Sequence, residues 1–284
     1  MERAYSHVFQ AVLFGAPQRR TIMEQGTLVP QVPQYSIGRI LLIWAAAAVP
    51  MGLIAWVVIP FLIHRVNIVP GFMTLPLLML GLIWQGVLAY IVLRREVKPF
   101  TWENIRERLW LYTPSKPGTR IASKKLYLWI VLLVVLRQAA YMSGAAGWFD
   151  ELWVRVLPFL TAPPYMLIQN LAGVGVGQWW LLGVEVVLIV FNYLLGEELI
   201  FRGILLPKMS GVFGKWDWVA NSVLFATYHV HLPWTMPSTL LVDWIMPWAA
   251  KHFKSYWVAA ILHGSDAVFL LIIFPMAIMG LVPT

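Results

Sequence analysis

Two adjacent glutamates and one arginine lie close together in a mostly apolar stretch at residues 178–207. These are Glu197, Glu198 and Arg202. A charge in an apolar helix is costly, so it indicates either a functional group or an ion pair. Glu198 and Arg202 are four residues apart and share a helical face, where an ion pair would offset much of the burial cost. Glu197 points about 100° away, which predicts a carboxylate free to bind a ligand or transfer protons.

Two later apolar stretches carry histidines that could join this carboxylate. Phe225 and His229 are four residues apart and therefore share a helical face. His263 and Asp266 are three residues apart and are also cofacial. An imidazole can serve as a base, a hydrogen-bond donor or a metal ligand. One carboxylate and two imidazoles could therefore activate water, either directly or through a metal ion.

The composition is typical of a membrane protein. The chain is 60% hydrophobic and 12% charged, with a mean hydropathy of +0.72, whereas a soluble domain is about half apolar and a quarter charged. We predict an all-α fold, a polytopic transmembrane helical bundle of about seven to eight spans. Seven candidate spans are residues 37–63, 71–93, 125–142, 178–207, 216–232, 238–250 and 256–279. Prolines and glycines interrupt 152–175, which could be an eighth span, a re-entrant piece or an interfacial segment.

The distribution of basic residues predicts the topology. Arginines and lysines concentrate between the second and third spans, which by the positive-inside rule places this loop in the cytosol. We therefore expect a multi-pass protein of the plasma membrane, with a cytosolic N-terminal tail at residues 1–36 and a transmembrane domain at 37–284. The segment Pro99–Tyr112 of the loop is predicted to be a short amphipathic helix. Topology and membrane lipid explain the net charge of +8, so we expect no nucleic-acid partner.

This topology places the candidate groups at similar depth. Counted from the nearest cytosolic helix end, at 1.5 Å per helical residue, Glu197 lies roughly 16 Å into the membrane. The same arithmetic gives roughly 20 Å for His229 and roughly 14 Å for His263. We therefore predict that three separate helices bring these side chains together near the middle of the bilayer.

Three motifs resemble one known family. Glu197-Glu198 followed by Arg202 resembles the E-E-x-x-x-R motif of the CPBP family, the CAAX proteases and bacteriocin-processing (Abi) enzymes. Phe225 and His229 resemble its F-x-x-x-H motif, and His263 its final histidine motif. The similarity covers a catalytic core at about residues 178–279. The family motif continues H-x-x-x-N or H-x-x-x-D, whereas here Ala267 occupies that position and the acid is Asp266, one residue earlier.

The resemblance implies an intramembrane endopeptidase. Glu197 and His229 are then expected to activate water, while His263, together with Asp266, stabilises the tetrahedral oxyanion. An ionised aspartate cannot donate a hydrogen bond, so Asp266 would instead act protonated or orient His263. Glu198, Arg202 and Phe225 would support the site. The resemblance also implies a peptide or lipidated-protein substrate, with CAAX-type processing of its C-terminus.

Several alternatives stay open from the sequence. We favour a site without a metal, and the alternative is zinc bound by Glu197, His229 and His263. The chain has no cysteine, and it has neither an H-E-x-x-H pair nor a convincing G-x-S-x-G elbow. A catalytically silent scaffold or immunity protein of the same fold is a second functional hypothesis. An ion-coupled transporter is a third, although the chain shows no internal repeat.

Overall fold

The computed structural model describes residues 21–24, 27–30, 33–117, 121–167 and 174–281. Two short strands, β1 (Thr21–Glu24) and β2 (Thr27–Pro30), form an antiparallel pair. This hairpin in the predicted tail is an exception to the all-α prediction, since the elements that follow it are helices. The rest of the tail prediction, for residues 1–20, lies outside the described residues.

Two long helices open the bundle. Helix α1 spans Ile37–Ile63 and α2 spans Pro70–Glu96, with 27 residues each. The Ser36 side chain accepts a hydrogen bond from the Arg39 backbone N–H and thereby caps α1. Pro70 occupies the first turn of α2, where its missing N–H costs nothing. At 1.5 Å per residue each helix is about 40 Å long, more than the hydrocarbon core requires.

The basic loop contains a shorter helix than the sequence predicts. Helix α3 spans Trp102–Arg108 and is capped by the Thr101 hydroxyl. The expected apolar stripe is divided, because Trp102 is 66% exposed whereas Leu109 is buried. The prediction for Pro99–Tyr112 was therefore wrong in its length, although a helix is present.

Helix α4 (Leu126–Met142) and helix α5 (Ala145–Val156) form a pair bent by 45°. Only 3₁₀ turns at Pro158–Leu160 and Pro164–Met166 follow within the described residues of the 152–175 segment. The prolines start both turns, because proline fits the first positions of a helix but not its interior. The described part of this segment is therefore not one continuous helix, and residues 168–173 lie outside the described residues.

The stretch that carries the paired glutamates is locally widened. Helix α6 (Leu181–Val190) continues into two π-helical segments, Phe191–Leu195 and Leu199–Leu205. Gly196 lies between them, where a Cβ atom would come within 2.2 Å of the Phe191 carbonyl oxygen and 3.0 Å of the Leu82 carbonyl oxygen of α2. Only glycine permits this close approach. Such π-helical turns re-aim the side chains around them and are frequent at functional sites.

The remaining helices are mostly short. Their bounds are α7 (Ser210–Phe213), α8 (Asp217–Tyr228), α9 (Met236–Asp243), α10 (Ile245–His252), α11 (Tyr256–Gly264) and α12 (Ala267–Ile278). The predicted span 216–232 ends as a helix at Tyr228, and 238–250 divides into α9 and α10. The helices α11 and α12 together form one apolar stretch, Tyr256–Ile278, as the sequence predicts.

Helix length supports fewer spans than the sequence suggested. In the described part of the chain, α1, α2 and Tyr256–Ile278 are long and apolar enough to cross a membrane, and the α4–α5 pair adds a fourth if it is one bent span. The helical bundle is therefore confirmed, whereas the count of seven to eight spans stays a prediction. The physical reason is that helix breaks near Gly196, His229 and Trp244 leave short helices between them.

The core lies where α1, α2, α8, α10 and α11 surround the π-helical segment Leu199–Leu205. Its fully buried side chains include Ile40, Met51, Phe201, Ile204, Phe225, Met246 and Leu262. Apolar side chains also cover outward faces, and on α4 Leu128, Val131 and Val135 are all more than half exposed. An apolar surface of this kind requires lipid or a partner to cover it.

A cluster of cations gathers around one carboxylate at the end of α2. Glu96 lies 2.5 Å from Arg39, 2.8 Å from Arg108 and 3.3 Å from Lys208. The Tyr35 hydroxyl also donates to Glu96, and burial raises the pKa of this hydroxyl, which keeps it protonated as a donor. Since these residues come from distant parts of the chain, the cluster ties α1, α2, the basic loop and the end of the π-helical stretch together.

Replacing Glu96 should therefore loosen this end of the bundle. Glu96→Ala removes the carboxylate that three nearly buried cations share, and we expect a loss of stability of about 3 kcal/mol or more. Thermal unfolding of the detergent-solubilised protein measures this. Glu103→Ala, at an exposed glutamate of α3, is the matched control and should unfold like the unmodified protein; equal behaviour of the two variants would contradict the role of the cluster.

Candidate active site

Glu198 connects two of the three motifs. Its Oε1 atom lies 3.0 Å from Arg202 Nη1, four residues along the same stretch, as the spacing predicts. The same oxygen lies 3.0 Å from Nδ1 of His263, which comes from α11. All three side chains are buried, Glu198 and Arg202 completely. Glu198 is therefore not only the partner of Arg202; it also orients the imidazole of His263.

Glu197 points to a different set of partners. Its Oε1 atom accepts a hydrogen bond of 3.2 Å from the Tyr228 hydroxyl at the end of α8. With the Asn192 amide oriented to donate, its nitrogen lies 2.9 Å and 3.1 Å from the two oxygens of Glu197. Glu197 is 3% exposed and is held by neutral donors, whereas Glu198 is held by the Arg202 guanidinium and the His263 ring. Arg202 therefore pairs with Glu198 and not with Glu197, as the spacing predicts, and the role of Glu197 in binding or proton transfer stays a prediction.

His229 lies just beyond the last turn of α8, where the backbone leaves helical geometry. Its Nδ1 atom is 2.8 Å from the Phe225 carbonyl oxygen. A carbonyl can only accept, so Nδ1 carries a proton, and in the neutral form of the ring the lone pair is therefore on Nε2. His229 is only partly buried, in contrast to His263. Its unprotonated nitrogen is therefore available to accept a proton.

The ring of Phe225 occupies the centre of this constellation. Its centroid lies 4.9 Å from that of His229 and 5.7 Å from that of His263, and both imidazoles meet it edge to face. The Arg202 guanidinium carbon lies 4.0 Å from the same centroid, a cation–π distance. Phe225 therefore contacts Arg202 and both imidazoles, and it fixes the spacing between the two histidine rings.

Asp266 has partners that the sequence analysis did not foresee. Two nitrogens of Arg137, from α4, lie 2.7 Å and 2.9 Å from its two carboxylate oxygens. Gln138 donates to the same carboxylate at 2.8 Å, and Arg137 also lies 2.8 Å from Asp243 of α9. The expectation that Asp266 orients His263 does not fit this geometry, because Nδ1 of His263 faces Glu198 instead. Asp266 joins α4 to the junction between α11 and α12.

Four polar residues of this region were not predicted from the sequence to belong to the site. Arg137 lies in the apolar stretch 125–142, where the rule applied to Arg202 would have identified it. Gln85 is a similar case, since it is completely buried in α2 and donates to the Tyr228 hydroxyl at 2.5 Å. Asn192 and Tyr228 carry no comparable signal, because their importance comes from contact with Glu197.

The three residues of the zinc alternative are not arranged as a metal site. Across the described residues, no group of three or more histidine, aspartate or glutamate side chains is placed to hold a metal ion. The nearest partners of Glu197 are hydrogen-bond donors, the Tyr228 hydroxyl and the Asn192 amide. Glu197, His229 and His263 as arranged therefore do not fit zinc, and the expectation of a site without a metal stays a prediction.

Comparison with known proteins identifies one family. The sequence model described as type II CAAX prenyl endopeptidase, Rce1-like, matches residues 178–269, about a third of the chain. This match confirms the resemblance to the CPBP/CAAX proteases in this region. The matched family is a protease family, and with the long apolar helices the match supports a peptide hydrolase integral to a membrane. Neither the search of curated proteins nor that of solved structures finds a match.

The network of ion pairs and hydrogen bonds around Arg137 gives a prediction about stability. Arg137→Ala leaves the carboxylates of Asp243 and Asp266 without their common cation, and we expect a loss of about 3–5 kcal/mol. Chemical denaturation in detergent measures it. Arg155→Ala is the control, since the ion pair of Arg155 with Glu151 joins side chains that are 76% and 68% exposed, and its removal should change stability by less than about 1 kcal/mol. A similar small change for Arg137→Ala would contradict a buried network.

Proposed function

We propose that this chain is an intramembrane endopeptidase that hydrolyses a peptide bond with water activated by Glu197 and His229. The observation that carries the proposal is the geometry around Phe225. Two imidazoles from different helices contact its ring, and a buried carboxylate held by neutral donors comes from the adjoining π-helical stretch. This constellation lies inside the region that matches the endopeptidase family.

Glu197 is the proposed acceptor of the water proton. Tyr228 and Asn192 fix the carboxylate without neutralising its charge, since both are uncharged donors. The water oxygen attacks the peptide carbonyl carbon while its proton passes to Glu197. As the tetrahedral intermediate collapses and the C–N bond breaks, that proton passes to the leaving amine nitrogen. This is general base catalysis followed by general acid catalysis through one carboxyl group.

His229 is the proposed second group that binds the attacking water. Its Nδ1–H is committed to the Phe225 carbonyl, so Nε2 accepts a hydrogen bond from water and directs an oxygen lone pair at the substrate. Since His229 is the more exposed of the two histidines, we place the entry of water on its side of Phe225.

His263 is the proposed donor to the oxyanion. Glu198 accepts from Nδ1 and would offset the charge of an imidazolium, whose Nε2–H could then donate to the developing negative oxygen. Asp266, in contrast, is proposed to position α11 through Arg137 and not to touch the substrate. Glu198 and Arg202 support the site as an ion pair, and Phe225 spaces the two imidazoles. No step requires a metal ion.

The proposal extends to substrate and topology. By the matched family, the substrate class is a prenylated peptide or protein that is cut near its C-terminus in the manner of CAAX processing. We propose a catalytic core at about residues 178–279 in a transmembrane domain at 37–284, with the N-terminus in the cytosol and the protein in the plasma membrane. The proposal keeps seven to eight spans. In it, the short helices cross the membrane in pairs, as spans that are interrupted by a break.

The proposed function predicts the behaviour of Glu197→Gln. Removal of the proton acceptor should lower the cleavage rate by at least about 100-fold, because glutamine keeps the shape of the side chain but cannot take the proton. The assay follows cleavage of a farnesylated C-terminal peptide by the purified protein in lipid vesicles, with mass spectrometry of the products. A peptide without the prenyl group tests the substrate class.

Glu185→Gln is the matched control, since Glu185 is also a buried glutamate of the same stretch but lies outside the constellation. The Glu185→Gln variant should cleave the peptide at the rate of the unmodified protein. If Glu197→Gln is as active as this control, the assignment of Glu197 fails. If no variant cleaves any peptide while the unmodified protein accumulates an ion in the same vesicles, the hydrolase proposal fails in favour of a transporter.

A further inference from the structure

A basic cleft lies at the ends of α8 and α10, apart from the acid and histidine constellation. It is open to the surface and has a volume of about 370 Å³. Its lining is mainly cationic and aromatic: Lys215, Trp218, Trp248, Lys251, His252 and Lys254. Pro117 completes the lining, so the cleft borders the loop that the positive-inside rule places in the cytosol.

The three lysines of the cleft differ in their partners. Lys251 is paired with the carboxylate of Asp217 and also donates to the Lys215 carbonyl at 3.4 Å. Lys215 and Lys254 are exposed, and neither forms an ion pair with a carboxylate of the described part of the chain. Two cations of the cleft are therefore uncompensated, which favours an anionic ligand.

The backbone of Lys254 adds an independent observation. Its φ angle is 45°, in the left-handed region that glycine adopts freely and other residues rarely occupy. The residue forms the turn between α10 and α11, where glycine would relieve the strain. Lys254→Gly therefore removes the lysine side chain while it suits the backbone angle of this turn.

An apolar groove adjoins the basic cleft. It has a volume of about 340 Å³ and is lined by Trp218, Val219, Ser222, Leu240, Leu241 and Trp244. Trp218 belongs to both, and aromatic contacts continue the surface: the ring centroids are 5.9 Å apart for Trp218 and Trp244, and 6.5 Å for Trp244 and Trp248. Trp248 in turn stacks on His252 at 4.8 Å. One surface therefore passes from cations through tryptophans to aliphatic side chains.

We propose that this surface binds an anionic glycerophospholipid of the cytosolic leaflet. Its phosphate lies between Lys215 and Lys254, its glycerol region contacts Trp218 and Trp248, and one acyl chain follows the apolar groove. The order of cation, tryptophan and aliphatic side chain is the order that headgroup, interface and hydrocarbon present to a membrane protein. The inference rests on the cytosolic placement of the basic loop and not on the hydrolase function.

The test compares lipid binding by the full chain and a double variant. Binding of dioleoyl phosphatidylglycerol and dioleoyl phosphatidylcholine to the detergent-solubilised protein is measured by native mass spectrometry. Lys215→Ala with Lys254→Gly should weaken binding of the anionic lipid by about 25-fold, at about 5-fold for each lysine. The glycine suits the positive φ angle, so the thermal unfolding midpoint should not fall.

Lys124→Ala with Lys125→Ala is the control, because it removes two exposed lysines of the basic loop outside the cleft. The control should bind the anionic lipid like the unmodified protein, and the neutral lipid should bind all three proteins weakly. If both double variants lose the same affinity for the anionic lipid, the proposed site is wrong and the lipid is held by the overall positive charge. Displacement of the lipid by millimolar inorganic phosphate would overturn the role of the groove, since free phosphate has no acyl chain.

Discussion

The cost of burying charge in an apolar bundle governs the arrangement around Glu198. An ionised carboxylate and a guanidinium are stable inside such a bundle only when each has a close partner of opposite charge or several hydrogen bonds. Glu198 meets this condition through Arg202 and His263 at once. The two contacts join the π-helical stretch to α11. This junction orients His263, and the adjacent Glu197 is directed to Tyr228 and Asn192 instead.

Helix breaks turn this junction into a site. Gly196 brings the paired glutamates against the backbone of α2, and the end of α8 at Tyr228 releases His229 from helical geometry while keeping it beside Phe225. A second buried network, Arg137 with Asp243 and Asp266, fixes α4 against α9 and the end of α11. Regular helices alone would present these side chains on separate faces. The irregular backbone is therefore what gathers them, as is common where strain serves a function.

Hydropathy and helical spacing predicted the parts of this fold that depend on local sequence. The long helices α1 and α2 and the pairing of Glu198 with Arg202 are of this kind, since each follows from residue spacing along one helix. The contacts of Tyr228 with Glu197 and of Asp266 with Arg137 depend on which helices pack together, and nothing in the spacing encodes that. Arg137 is an intermediate case, because its charge in an apolar stretch was visible although its partners were not.

The meeting of α8 and α11 at Phe225 is the central claim, and the natural absence of cysteine allows a direct test. A variant with His229→Cys and His263→Cys should be joined efficiently by a short bifunctional thiol reagent in native membranes. The pair His229→Cys and His252→Cys, with the second residue in the basic cleft, should not be joined. Failure of the first pair to cross-link, although each thiol reacts singly with a small reagent, would contradict the account.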